Sequence, residues 1–150
     1  MTTNSEVDHE PCSTCKAAHT PTHWGQSSFY ATSIAFNLCL IAQLLTVGVA
    51  YFNDPTWWNI HVWLVRGYGG LSFLLWGWSS LAPFSRKIRH LAATLPVLLG
   101  LQFVSIHLKT PLHLEVFHPL IGFSLLYVSS SLVHSTSRSL SPTNYQNEQV

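Results

Sequence analysis

Charge is what this sequence has least of. Seven Lys and Arg and six Asp and Glu make up 9% of 150 residues, against 47% hydrophobic residues, whereas soluble domains carry roughly a quarter charged residues. The mean hydropathy is positive. Such a composition cannot cover a water-facing globular surface. The few charges are also unevenly placed, since no Lys, Arg, Asp or Glu falls between Lys16 and Asp54. That gap exceeds the ~20 apolar residues needed to cross hydrocarbon. A net charge of +1, with no basic patch interleaved with aromatics, excludes a nucleic-acid partner. The first apolar run begins near Phe29 behind a polar tail. It has no short apolar core ending in a small-residue cleavage site, so it is expected to stay as a helix and not be removed as a signal peptide.

What remains is four long apolar stretches, Phe29 to Phe52, Trp57 to Phe84, Ile88 to Leu108 and Val116 to Ser137. Asp54-Pro55 separates the first two, Pro83 to Lys87 the next pair, and Lys109 to Glu115 the last. Strands are excluded because an open sheet leaves its backbone polar groups unpaired in lipid. Short connections make neighbouring helices antiparallel. The expected fold is therefore all-α, an integral membrane four-helix bundle running up-down-up-down over residues 27–138. The flanking segments, residues 1–26 and 139–150, are rich in Ser, Thr, Asn, Pro and Glu and are expected to be disordered. Arg86, Lys87 and Arg89 form the densest basic group, which places the second connection, and hence both termini, on the cytoplasmic side. Trp57, Trp58 and Trp63 then fall at the outer interface, where an aromatic belt is expected. No repeat of fixed period is visible.

An ionisable or strongly polar residue within a bilayer is costly and marks a candidate site. His61 lies near the start of the second helix and His118 near the start of the fourth, both on the outer side, and His107 at the end of the third reaches the same level. Two neutral imidazoles facing each other from different helices are what a six-coordinate haem iron requires. Gly69 and Gly122 offer positions without side chains where a flat ring can approach the backbone. Arg66 is placed either to pair with haem propionates or to extend toward the outer headgroups. The alternative for the same histidines is hydrogen bonding between helices without a cofactor, a common use of His, Ser and Gln in membranes. Asn37, Gln43 and Gln102 are read in that way too, with a quinone or propionate contact as a second reading of Gln102.

A third reading takes His61, His107 and His118 as three nitrogen ligands for zinc or copper. Glu115 and His118 have the Glu-x-x-His spacing of di-iron bundles, but the first three helices supply no carboxylate to complete such a site. His90 and His134 share the inner side; the second helix has no inner His, which argues against a second haem. In the N-terminal tail Cys12, Cys15, His19 and His23 form a C-x2-C-x3-H-x3-H set that suits zinc, with reduced free thiols as the alternative. Cys39 reads as a small apolar filler in the first helix.

The segment from His61 to His134, about half the chain, resembles an uncharacterised family of small four-helix bacterial membrane proteins. The resemblance rests on His61 followed by Gly67, Gly69 and Gly70, on the Leu-x-x-Leu-Gln run ending at Gln102, and on the pair His118-Pro119. The layout, one His on each of helices two and four, is also similar to half of a haem A synthase and to a b561-type cytochrome. Those likenesses imply haem ligation and a bacterial inner membrane location. They do not extend to haem hydroxylation, since Cys12 and Cys15 are in the tail and no loop carries a matching Cys pair with a catalytic Glu. The expectation is a b-type cytochrome-like membrane protein with one haem b held by His61 and His118, exchanging electrons with a quinone or a redox partner protein. The rival is a non-enzymatic membrane subunit or scaffold.

Overall fold

The computed structural model describes residues 23–108 and 113–140. Cys12, Cys15, His19, Lys109 and Pro111 lie outside the described residues, as does the side chain of His23. The described residues form four helices, α1 (His23–Phe52), α2 (Trp57–Leu81), α3 (Arg86–His107) and α4 (His118–Leu140), the last preceded by a 3-10 turn, Leu114–Phe117. Among the described residues there is no strand. The four-helix all-α fold is thus the one read from the sequence. α1 packs on α2 and α4, and α3 packs on the same two, so α1–α3 and α2–α4 are the diagonals of a square bundle.

α1 starts earlier than expected, because the polar residues Gln26, Ser27 and Ser28 continue the helix before the apolar run begins. α2 stops three residues short of Phe84. Ala82 precedes Pro83 and is driven to extended backbone (ψ 154°), while its N–H still bonds Trp78 O. Ser85 then caps α3, its hydroxyl accepting from the Ile88 N–H at 3.5 Å. Pro119 stands in the first turn of α4, where its missing N–H removes no helical bond.

Each helix turns a stripe of alternating large and small residues inward. On α2 the stripe is Tyr68, Ser72, Leu75 and Ser79, on α4 Leu125, Ser129, Leu132 and Thr136, and on α3 Ile88, Ala92, Leu95 and Leu99. α1 contributes Phe29, Ser33, Phe36 and Leu40. The i, i+3, i+4 spacing keeps each stripe on one face, and small residues let the helices approach closely. Each buried hydroxyl that lacks a neighbour across the interface bonds a carbonyl of its own helix, as Ser33 does to Phe29 O at 2.8 Å and Ser72 to Gly69 O at 2.8 Å. Asn37 ties α1 to α4, donating to Ser129 Oγ at 3.2 Å and Ser130 Oγ at 3.0 Å. The outward faces carry Leu38, Leu45, Phe73, Leu101, Leu120 and Phe123, all exposed, as residues that meet lipid must be.

Three helical segments, Trp24–Phe52, Arg86–His107 and Leu114–Leu140, are long and apolar enough to cross a membrane by length and composition. α2 is not among them. It is long enough, but Asn59, His61, Arg66, its glycines and its tryptophans lower its hydropathy. The turns on either side of it are short, so with α1 and α3 crossing, α2 has to return between them.

The α1–α2 turn is organised by Asp54, whose carboxylate accepts from the Thr56 N–H at 2.9 Å and the Thr56 hydroxyl at 2.7 Å. These bonds hold the Asp54 carboxyl below its ordinary range. A depressed folded-state pKa stabilises the fold above the unfolded value of about 3.9 and ceases to do so as pH falls through the folded value. Asp54→Asn should therefore lower the unfolding midpoint slightly at neutral pH. In thermal melts repeated at decreasing pH, the gap from the parent protein should close below about pH 4. A gap constant from pH 7 to pH 3 would exclude the charge as its source.

Candidate functional site

The polar residues gather in one layer, close to the end of the bundle that carries the α1–α2 turn. His61 is half-buried one turn into α2. On the adjoining face of α1, Gln43 donates its amide N–H to His61 O at 3.0 Å, and Thr46 Oγ1 lies 3.3 Å from His61 Nδ1. The Thr46 hydroxyl in turn donates to Gln43 O at 2.7 Å.

The other hairpin repeats this arrangement. His118, half-buried at the start of α4, has Ser105 Oγ 3.3 Å from its Nδ1, and Ser105 donates to Gln102 O at 2.8 Å. Gln102 Nε2 lies 3.0 Å from His118 Nε2, and Gln102 O lies 3.3 Å from His118 Nδ1. Gln-x-x-Thr on α1 and Gln-x-x-Ser on α3 set an amide and a hydroxyl three residues apart, hence on one helix face.

The proton positions follow from the donor inventory. A hydroxyl has one proton. Thr46 and Ser105 each commit theirs to a main-chain carbonyl, which leaves only an acceptor for the neighbouring imidazole. His61 and His118 therefore carry their protons on Nδ1 and a lone pair on Nε2. At His118 a second contact requires the same tautomer, because the Gln102 NH2 group is a donor only and His118 Nε2 must accept from it. The opposite amide orientation would leave Nδ1 unprotonated between two acceptors. Among the described residues two atoms of the layer lack partners: the side-chain carbonyl oxygens of Gln43 and Gln102 are buried without a donor.

The remaining expected site residues fall differently. Gly122 belongs to the layer, since a Cβ there would stand 3.3 Å from Gln102 Nε2; its bareness makes room for the amide that reaches His118. At Gly69 a Cβ would meet Leu99 Cδ2 at 3.6 Å, an ordinary contact, so Gly69 is a packing position between α2 and α3. Arg66 is exposed, with its guanidinium 5.7 Å from the centre of the Trp63 ring, and does not turn toward the histidines. His107 is exposed and bonds Phe103 O of its own helix at 2.9 Å. Among the described residues no three His, Cys, Asp or Glu side chains come together as a metal set, so the His61, His107 and His118 triad is not assembled. The reason is local: the carbonyl four residues back claims the His107 ring.

His90 and His134 are exposed near the other end of the bundle. His113 adopts a left-handed backbone (φ 45°) and meets Glu115 Oε1 at 2.9 Å on the surface. A shallow groove of about 550 Å³ on α2, lined by Phe73, Leu74, Gly77, Trp78, Leu81 and Ala82, is apolar and separate from the histidine layer.

A family model described as a family of unknown function (DUF6220) matches residues 43–108. The matched region begins at Gln43 and ends just after His107, so it contains Thr46, His61, Gln102 and Ser105, with His118 beyond it. No curated protein and no solved structure matches the chain. The likeness to haem A synthase and b561-type cytochromes thus rests on the sequence layout alone.

Proposed function

We propose that the chain is an integral membrane b-type cytochrome-like protein that holds one haem b between α2 and α4, with His61 and His118 as axial ligands. What carries the reading is the pair of neutral imidazoles on diagonal helices, each with Nδ1–H tied to a hydroxyl and Nε2 bearing a lone pair. A histidine that ligates a metal commonly donates its other N–H to a protein acceptor, which fixes the ring and raises its basicity. The donor set therefore fits a haem iron. Bound haem would supply a reversible one-electron couple, and a quinone or a redox partner protein is the proposed exchange partner.

The chain's own residues have separate tasks. His61 offers Nε2 directly. His118 offers it once the Gln102 amide, 3.0 Å away, gives up that bond. We place both termini in the cytoplasm on the strength of the basic cluster Arg86, Lys87 and Arg89, and the protein in a bacterial inner membrane on the resemblance carried by its sequence. One observation favours the rival reading of a non-enzymatic subunit or scaffold: the Gln102 to His118 bond already satisfies that ring between helices.

The optical spectrum separates the two. Protein purified in detergent from haem-replete cells should be red, with a Soret band that shifts on dithionite reduction and is lost in both His61→Ala and His118→Ala. A colourless preparation would overturn the haem reading, and a band retained in either variant would overturn the ligand assignment.

A further inference from the structure

The layer contains the same device twice, built from unrelated stretches of chain. On α1 and α2 it is Gln43, Thr46 and His61; on α3 and α4 it is Gln102, Ser105 and His118. In both, a hydroxyl three residues after a Gln donates back to that Gln's main-chain carbonyl and presents its oxygen to Nδ1 of a histidine that opens the next helix. A single such contact is ordinary polar packing. Two copies with the same proton direction, at the same end of the bundle, point to a requirement on the rings themselves.

We infer that Thr46 and Ser105 are positioning residues that hold His61 and His118 in the Nδ1–H tautomer, so that two Nε2 lone pairs are offered together as ligands. This rests on the reading of the two histidines as a ligand pair, and its test does not depend on the pigment. A free neutral imidazole favours the proton on Nε2, the form that cannot ligate through that atom, so the hydroxyls reverse the intrinsic preference. The two halves differ in the Gln amide, which donates to His61 O in one and reaches His118 Nε2 in the other, and in the partners of Nδ1. Among the described residues His61 Nδ1 has only Thr46 Oγ1 as its hydrogen-bond partner, whereas His118 Nδ1 also has Gln102 O at 3.3 Å. Loss of Thr46 should therefore act more strongly than loss of Ser105.

The test is the nitrogen spectrum of full-length protein labelled with 15N-histidine, prepared in detergent from haem-limited cells at a pH where imidazole is neutral. The signals of His61 and His118 are identified by their absence in His61→Ala and His118→Ala. Both rings should show Nδ1 protonated and Nε2 bare. Thr46→Val should abolish that signature at His61 and leave His118 unchanged, Thr46→Ser should restore it, and Ser105→Ala should shift His118 only in part. A parent protein with Nε2–H at His61, or a Thr46→Val protein with an unaltered His61 signal, would overturn the inference. If Thr46→Val does not fold, the parent spectrum and Thr46→Ser still decide it. The expected tautomers in a protein that stays colourless with haem supplied would support the positioning role while ending the haem reading.

Discussion

A cysteine at Thr56 should react with a membrane-impermeant maleimide in intact spheroplasts, and one at Lys87 only after the membrane is permeabilised. The background would carry serine at Cys12, Cys15 and Cys39. Thr56 lies in the α1–α2 turn and Lys87 in the first turn of α3, at opposite ends of α2; both are exposed. α2 covers 25 residues, a length of about 37 Å at a rise of 1.5 Å per residue, which exceeds a hydrocarbon core of about 30 Å. The expected contrast is nearly all or none, since the reagent does not cross lipid. Equal labelling of both positions would rule out a crossing by α2 and with it the bundle in the membrane. A reversed pattern would keep the crossing and overturn the cytoplasmic placement of Arg86, Lys87 and Arg89.

Phe36→Ala should be strongly destabilising. Phe36 is fully buried on α1, with its ring edge-on to Tyr68 at a centroid distance of 5.5 Å. The cost combines the lost contacts with the cavity left behind, about 3 to 5 kcal/mol for Phe to Ala. Aromatic pairing contributes beyond area alone. The measurement is reversible unfolding in mixed micelles, with Leu38→Ala on the lipid-facing side of the same helix as the control. Equal losses in the two variants would mean that the inward stripe is not the packed face.

The fold was legible because the bilayer imposes a coarse rule: long uncharged runs cross it as helices. The runs separated at Asp54-Pro55 and at Pro83 reappear as α1, α2 and α3 with ends shifted by a few residues. Those shifts have local causes, such as the extended backbone of Ala82 before Pro83. Counting charges set α2 beside the other three spans but overlooked its tryptophans, glycines and Asn59, which thin its apolar content without adding charge.

His61 and His118 were found from their polarity, and Gln43 and Gln102 were recognised as interhelical partners. Thr46 and Ser105 were missed. A hydroxyl residue in a membrane helix usually bonds its own backbone, and nothing in the residue type says whether a ring lies on its other side. The available signal was the pair Gln-x-x-Thr and Gln-x-x-Ser, each ahead of a histidine. The Gln-to-His separation is 18 residues in one half and 16 in the other, so no search at a fixed period brings the halves together. Arg66, read either as a propionate contact or as a side chain extending to the outer headgroups, stands exposed beside the Trp63 ring.

The thin apolar content of α2 bears on how the chain reaches its membrane. A segment that partitions weakly by itself has no reason to leave a protein-conducting channel for lipid while the chain is still being made. α1 is the natural chaperone for it, since Gln43 and Phe36 are there to receive His61 and Tyr68 as soon as the turn at Asp54 has formed. Biogenesis would then proceed by hairpins and not by single segments, with α1 and α2 released as one unit and α3 and α4 following as the second.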